Sequence, residues 1–149
     1  YGAVDVKVVL LIIGTLALGS ALQKTGAADL YAEQFLSLFE GKSPQVILGA
    51  FVILTSLLSH LLSNNATAVL LVPVALSTAA GLDVDPRPFI IGICFGASAC
   101  YASPIGYQTN LLVYGPGGYH FRDFIKLGIP LNLLVWVGST LLIPKFWPF

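Results

Sequence analysis

The sequence contains very little charge. Only 9% of its 149 residues are charged, whereas 56% are hydrophobic. A soluble domain usually carries about 25% charged residues, so we expect much of the surface of this chain to face lipid. Seven basic residues balance seven acidic ones. Without an excess of positive charge, the sequence gives no electrostatic support for binding to nucleic acid.

Methionine is absent and cysteine is rare. Because the chain opens on Tyr1 without an initiator Met, we expect an N-terminal part of the protein to precede it. Cys94 and Cys100 have no His or Cys partner at a metal-binding spacing, so no cofactor is expected. Residues 96–100 (GASAC) lack the Gly-x-Ser-x-Gly elbow of hydrolases, which argues against an enzyme.

What the sequence does contain is a series of apolar segments with short polar breaks, which predicts an all-α integral membrane protein. We treat residues 1–149 as a single membrane domain. The pattern predicts a transmembrane helix over 4–24, an amphipathic interfacial helix over 27–40, a re-entrant helical hairpin over 43–81 with its tip at 63–67, a broken transmembrane helix over 86–116 with its loop at 103–110, and a final transmembrane helix over 123–145.

The amphipathic segment 27–40 has apolar residues at helical spacing, which favours a helix lying in the membrane interface. It lacks the basic face typical of such helices. The alternative is therefore a surface helix of an extramembrane loop.

The segment 43–81 allows two interpretations, which are two complete spans joined by a polar loop or a re-entrant hairpin. Its polar turn has no charge, Pro or Gly, and its second apolar arm, 68–80, has about 13 residues, short of the roughly 20 needed to span. We therefore predict the hairpin. Irregular backbone at membrane depth is tolerated only where it is buried in protein or lines a polar cavity, so a tip there would be a binding site. The alternative is an ordinary helix cap.

The second break interrupts an apolar run at residues 103–110 (SPIGYQTN). Pro104 removes a backbone donor and Gly106 adds backbone freedom, although a packing kink is the simpler alternative. Helix ends inside a membrane suit anions at N-termini and cations at C-termini, which is a recurring plan of transporters. The predicted substrate-binding residues are Ser63, Asn64, Asn65, Thr67, Gln108, Thr109 and Asn110. The predicted cation-binding residues are Ser63, Asn64, Ser103, Pro104, Gly106 and Asn110.

His60 lies one helical turn before Ser63. An ionisable group this deep in an apolar run suggests a role in proton coupling or in orienting the tip. The alternative is a neutral His that is hydrogen-bonded in a helix interface.

Two motifs carry a family resemblance. The first consists of residues 63–69 (SNNATAV) with Pro73, and the second of residues 103–110 followed by residues 113–119 (VYGPGGY). Both resemble the divalent anion:sodium symporter family, in its citrate-transporter-like group. The resemblance implies two inverted repeats, each with a re-entrant hairpin and a broken helix. It also implies homodimers that move substrate by an elevator motion. This chain resembles the C-terminal repeat, so its partners would include the N-terminal half of the same transporter.

The resemblance also implies a function. The expected activity is Na⁺-coupled symport of a small divalent anion, such as sulfate or a dicarboxylate, by a multi-pass protein of a bacterial inner membrane. Ser63 and Asn64 match the first two positions of the family's Ser-Asn-Thr tip, whereas Asn65 departs from the third. A proton-coupled anion transporter, a passive anion channel and a non-transporting membrane scaffold are the alternatives.

Overall fold

The computed structural model describes residues 6–149, except for the side chains of residues 6–9, 11, 12, 15, 16, 108 and 111. Within this range the chain forms seven α-helices and no strand, so the prediction of an all-α chain is confirmed there. The helices are α1 (Val6–Lys24), α2 (Ala27–Leu38), α3 (Pro44–Ser59), α4 (Asn64–Leu82), α5 (Arg87–Ser98), α6 (Gln108–Tyr114) and α7 (Phe121–Phe146). Residues 4 and 5, where we predicted the first helix to begin, lie outside the described range.

The start of α4 differs from the predicted tip at 63–67. Ser63 is the N-cap of α4, and its Oγ accepts a hydrogen bond from the backbone N–H of Ala66 at 3.3 Å. Because the cap satisfies the first turn, residues 64–67 are helical, and α4 has 19 residues instead of a 13-residue arm. The prediction of a short second arm is therefore wrong, whereas the hairpin itself stays a prediction.

Helix length separates the elements into two groups. By length and composition, α4 and α7 are long and apolar enough to cross a membrane. The helices α3 and α5 have 16 and 12 residues, or about 24 and 18 Å at 1.5 Å per residue. Both are shorter than the hydrocarbon core of roughly 30 Å.

Helix α3 lies at the centre of the packing. It runs parallel to α5, because Leu48 and Val52 lie opposite Gly92 while Thr55 lies opposite Gly96. Small residues permit this close approach. Helix α7 runs antiparallel to α3, with the Gln45 side chain donating to the Thr140 carbonyl and the Trp136 Nε1–H donating to the Gly49 carbonyl.

The helices α3 and α5 share a buried apolar core that extends from the start of α5 to the middle of α3. Phe51 and Phe89 are fully buried there, and their ring centroids lie 5.8 Å apart. Phe35 of α2 and Phe149 extend the contact on either side, with centroids 4.4 Å from Phe51 and 5.4 Å from Phe89, respectively. We call these four rings the aromatic end of the bundle.

Helix α2 packs on the bundle through both small and large residues. Ala28 and Ala32 are buried, and Phe35 and Leu36 are half-buried against the core. The other large apolar side chains, Leu30, Tyr31 and Leu38, are exposed.

Candidate functional site

Four helix ends meet at the side of the bundle opposite the aromatic end. Residues 56–67, with the end of α3 and the start of α4, lie against residues 97–110, with the end of α5, the irregular segment and the start of α6. We call these two stretches the helix-end junction. Ser59 Oγ donates to the Ala97 carbonyl at 2.6 Å, and Ser56 Oγ donates to the Ala99 carbonyl at 2.5 Å.

The half-buried Asn64 lies at the centre of the junction. With its amide nitrogen turned inward, it is placed to donate to the carbonyls of Ala97 and Gly106, at 3.1 and 3.2 Å, and to Ser59 Oγ, at 2.8 Å. With its oxygen inward, it lies 2.8 Å from Ser59 Oγ, whose single hydrogen can go either to it or to the Ala97 carbonyl, and it accepts from Cys100 Sγ at 3.4 Å while facing the same two carbonyl oxygens. The first orientation satisfies more groups without an ion. The second gathers the oxygen atoms that a hard cation prefers.

The break after α5 begins earlier than predicted and also ends earlier, because residues 99–107 are irregular and α6 begins at Gln108. The predicted loop at 103–110 therefore needs correction at both ends. Pro104 has no N–H to donate to the carbonyl of Cys100, four residues before it. The Asn110 side chain replaces that donor, since its Nδ2 donates to the carbonyls of Cys100 and Ser103 at 3.2 and 3.1 Å. Asn110 thus fastens the start of α6 to the break.

Gly106 allows the irregular segment to touch the end of α3. A Cβ added at this position would lie 2.6 Å from the Ser59 carbonyl and 3.2 Å from the Cα of His60, so no larger residue fits without a backbone shift. Ser103 is 7% exposed, and its Oγ accepts from the Ile105 N–H at 3.2 Å. These contacts hold the Gly106 carbonyl beside Asn64.

The predicted substrate-binding residues separate into two groups. Ser63, Asn65 and Thr109 are exposed around the junction. Thr67 is 0% exposed, and its Oγ1 has no hydrogen-bond partner among the described residues, so it does not share a surface with them. The side chain of Gln108 lies outside the described part of the structure.

His60 connects three elements at the edge of the junction. Its Nδ1 lies 2.6 Å from the Ser56 carbonyl within α3. Its Nε2 accepts from the Ala102 N–H at 3.2 Å and lies 3.1 Å from Nδ2 of Asn132 on α7. A backbone N–H only donates, so Nε2 is the acceptor and Nδ1 carries the proton of a neutral ring. These contacts match those of a neutral histidine hydrogen-bonded in a helix interface.

The junction is polar without fixed charge. Residues 56–67 and 97–110 contain no Asp, Glu, Lys or Arg. The ends of α3 and α5 direct carbonyl oxygens into the junction, which gives partial negative charge there, whereas the start of α4 contributes partial positive charge. Such a site can bind both a cation and an anion without a permanent counter-charge that would trap either one.

Sequence reasoning missed several residues that build the junction. Ser56 and Ser59 were read as part of an apolar run, although two serines three residues apart just before His60 mark a polar stripe at a helix end. The carbonyl of Ala97 gives no signal in the sequence, because any residue carries one. Asn132 lies in the middle of α7, where its polarity was the only available clue.

The chain matches known proteins along nearly its whole length. A family model described as citrate transporter matches residues 1–147. An uncharacterised transporter of Synechocystis sp. is 40% identical over 143 residues, covering 96% of this chain and 23% of the relative. A sodium/sulfate cotransporter of Chlamydomonas reinhardtii is 35% identical over 143 residues, covering 94% of this chain and 16% of the relative.

A third relative is described by a different substrate. A sodium-dependent dicarboxylate transporter of Staphylococcus saprophyticus is 31% identical over 136 residues, covering 91% of this chain and 26% of the relative. The chain thus spans about a quarter or less of the length of these relatives. The matches confirm the resemblance to the divalent anion:sodium symporters, and the chain belongs to the citrate transporter family.

Proposed function

We propose that this chain supplies one half of the transport site of a membrane protein that carries a small divalent anion, sulfate or a dicarboxylate, together with Na⁺. The observation that supports this proposal is the cluster around Asn64, where side-chain and carbonyl oxygens converge without a charged group. Relatives described as a sodium/sulfate cotransporter and a sodium-dependent dicarboxylate transporter support the same assignment.

The cation is proposed to bind on the inner side of the junction. Asn64 with its oxygen inward, the hydroxyl of Ser59 and the carbonyls of Ala97 and Gly106 are its ligands. Unwound backbone and helix C-terminal ends serve this purpose in secondary transporters. Of the other predicted cation residues, Ser103, Pro104 and Asn110 shape the irregular segment, and Ser63 caps α4.

The anion is proposed to bind on the exposed side. Ser63, Asn65 and Thr109 present hydroxyl and amide groups beside the first turn of α4, a 19-residue helix whose N-terminus favours negative charge. Gln108 remains a proposed contact from its position in the sequence. Thr67 is left out, because its side chain is buried within the chain.

The position of the site in the bilayer follows from helix length. If α3 and α5 both begin at one membrane surface, their ends at Ser59 and Ser98 lie about 24 and 18 Å deep, within a core of roughly 30 Å. We therefore propose that α3 and α4 form the re-entrant hairpin and that α5 and α6 form the broken helix. The family resemblance supplies the rest of the proposal. The N-terminal half of the transporter provides the other half of the site, and the protein forms homodimers that move the substrate by an elevator motion.

Uptake into proteoliposomes by the full-length transporter tests this function. Sulfate and succinate are each offered with and without an inward Na⁺ gradient, to the wild type and to the Asn64→Ala and Asn110→Ala variants. We expect gradient-dependent uptake by the wild type and loss of at least about 100-fold in both variants, because misplaced ligands cost that much. Membrane insertion should remain normal.

Gln45→Ala is the matched control, since it removes a carboxamide that donates to a helix carbonyl outside the junction. Normal uptake by both asparagine variants would contradict the site. Fast downhill uptake without Na⁺ would indicate a channel, and uptake driven by a pH gradient alone would indicate proton coupling.

A further inference from the structure

The irregular segment 99–107 is held by side chains from several elements. Ser56 Oγ donates to the Ala99 carbonyl, and Asn110 Nδ2 donates to the carbonyls of Cys100 and Ser103. A further bond from outside the segment is made at Ala102, whose N–H donates to Nε2 of His60. This bond therefore contributes to the position of the Gly106 carbonyl, a proposed cation ligand four residues away.

His60 is itself held firmly. The Nδ1–H donates to the Ser56 carbonyl at 2.6 Å, which fixes the ring relative to α3. Asn132 of α7 lies against the same Nε2 atom at 3.1 Å. The ring therefore bridges the end of α3, the middle of α7 and the irregular segment, and both of its nitrogens are used in doing so.

A second close contact strengthens this bridge. A Cβ added at Gly128 of α7 would overlap the backbone of Tyr101 and Ala102. Helix α7 therefore packs directly on the part of the segment that His60 holds, with Asn132 one turn further along. The Oδ1 atom of Asn132 is buried without a hydrogen-bond partner among the described residues. The contact of Asn132 with His60 is thus made although it leaves a buried acceptor unpaired, which lowers the stability of the fold.

We propose that His60 is a positioning residue, whose neutral Nε2 holds Ala102 and thereby sets the cation affinity of the junction. This inference rests on the proposed function, because it assigns a role within the same site. Since Nδ1 and Nε2 are both engaged, the ring acts as a fixed bridge and not as a carrier of protons. Its contribution to transport passes through the backbone of the segment and not through contact with the ion.

Two substitutions distinguish the two nitrogens of the ring. In His60→Gln, the side-chain oxygen reaches about as far as Nε2 and can accept from Ala102. In His60→Asn, the shorter carboxamide replaces only the Nδ1–H that donates to Ser56. The proposal predicts that His60→Gln keeps the Na⁺ affinity of the wild type. It predicts that His60→Asn loses this affinity to the same extent as His60→Ala, which removes both hydrogen bonds. His120→Ala is the control, because His120 is the other histidine of the chain and lies exposed at the start of α7.

The first measurement is hydrogen–deuterium exchange in the full-length protein in nanodiscs, which needs no transport. We expect protection of the Ala102 amide to fall roughly five- to tenfold in His60→Ala and His60→Asn, the value of one hydrogen bond. His60→Gln and His120→Ala should keep wild-type protection. Unchanged protection in His60→Ala would overturn the proposal whether or not the protein transports.

The second measurement is the Na⁺ concentration that gives half-maximal uptake. We expect a rise of roughly five- to tenfold in His60→Ala and His60→Asn, with a smaller change in the maximal rate at saturating Na⁺. A purely structural role would instead lower the maximal rate through loss of folded protein. Equal affinity in all four variants, with wild-type uptake normal, would overturn the inference and leave the proposed function intact. Absence of uptake by the wild type would contradict the proposed function alone.

Discussion

The two halves of α3 are built on different principles. At the aromatic end, Phe51 is fully buried against Phe35 and Phe89, and stability comes from apolar area removed from water. At the helix-end junction, Ser59 and Asn64 are held by hydrogen bonds to each other and to backbone carbonyls. The bonds that hold these two side chains are directional.

This difference assigns the two ends separate tasks. An apolar core tolerates some change of side-chain shape, but a loss of side-chain volume strongly lowers the free energy of unfolding. A polar cluster adds little net stability, although its geometry decides what it binds. We therefore expect substitutions at the aromatic end to change the free energy of unfolding, and substitutions at the junction to change cation affinity.

The largest effect should come from the aromatic end. Phe51→Ala removes a buried ring and leaves a cavity, which costs about 3–5 kcal/mol of the free energy of unfolding. Thermal unfolding of the full-length protein in detergent measures it. Phe146→Ala, at a side chain that is 72% exposed, is the control. A weakened Na⁺ affinity in the Phe51→Ala protein that remains folded would break the comparison.

Gly106→Ala should affect both properties. The added methyl group meets the Ser59 carbonyl at 2.6 Å, so the backbone must shift, at a cost of about 1–3 kcal/mol. Because the shift displaces a proposed ligand, we also expect uptake to fall at least about tenfold. Gly138→Ala, where a Cβ has nothing within 4 Å, should be neutral. Wild-type uptake by Gly106→Ala would argue against the junction as the site.

Ser59→Ala should act mainly on the cation. It removes the hydroxyl that lies beside Asn64 and donates to the Ala97 carbonyl. The loss of this group should weaken the binding free energy of the cation by about 1 kcal/mol. We expect the Na⁺ concentration for half-maximal uptake to rise roughly fivefold. Ser37→Ala is the control, because its hydroxyl donates to the Gln34 carbonyl within its own helix, outside the junction. The same rise in both variants would show that the effect is not specific to the junction.

The smallest effect should come from Trp136→Phe. This substitution keeps the ring and removes the Nε1–H that donates to the Gly49 carbonyl at 2.9 Å, for a loss of about 0.5–1.5 kcal/mol. The bond joins α7 to the first half of α3, outside the junction. The unfolding temperature should therefore fall slightly while the Na⁺ affinity stays constant, and a changed affinity would mean that the junction also depends on packing in the first half of α3.

The sequence was informative wherever polarity interrupted an apolar run. The breaks at Ser63 and Pro104 stand out for this reason, and the structure brings both to one junction. Thr67 faces the protein interior from the first turn of α4, and this orientation depends on packing that the sequence does not reveal. The contribution of Ser59 was missed because a serine in an apolar helix looks the same whether it bonds its own helix or the next one. Asn110 was foreseen as a ligand, whereas its role in replacing the donor that Pro104 lacks requires knowledge of the fold.

If the junction binds a cation as proposed, the Asn64 carboxamide has a consequence for how that cation leaves. Its oxygen and nitrogen have nearly the same size, so a half-turn of the amide exchanges an acceptor for a donor while the volume of the side chain stays constant. The junction can thus change from attracting a cation to opposing it without repacking the helices around it. The energy barrier to release would then depend on one side-chain torsion, which is a much faster motion than any displacement of α3 or α5.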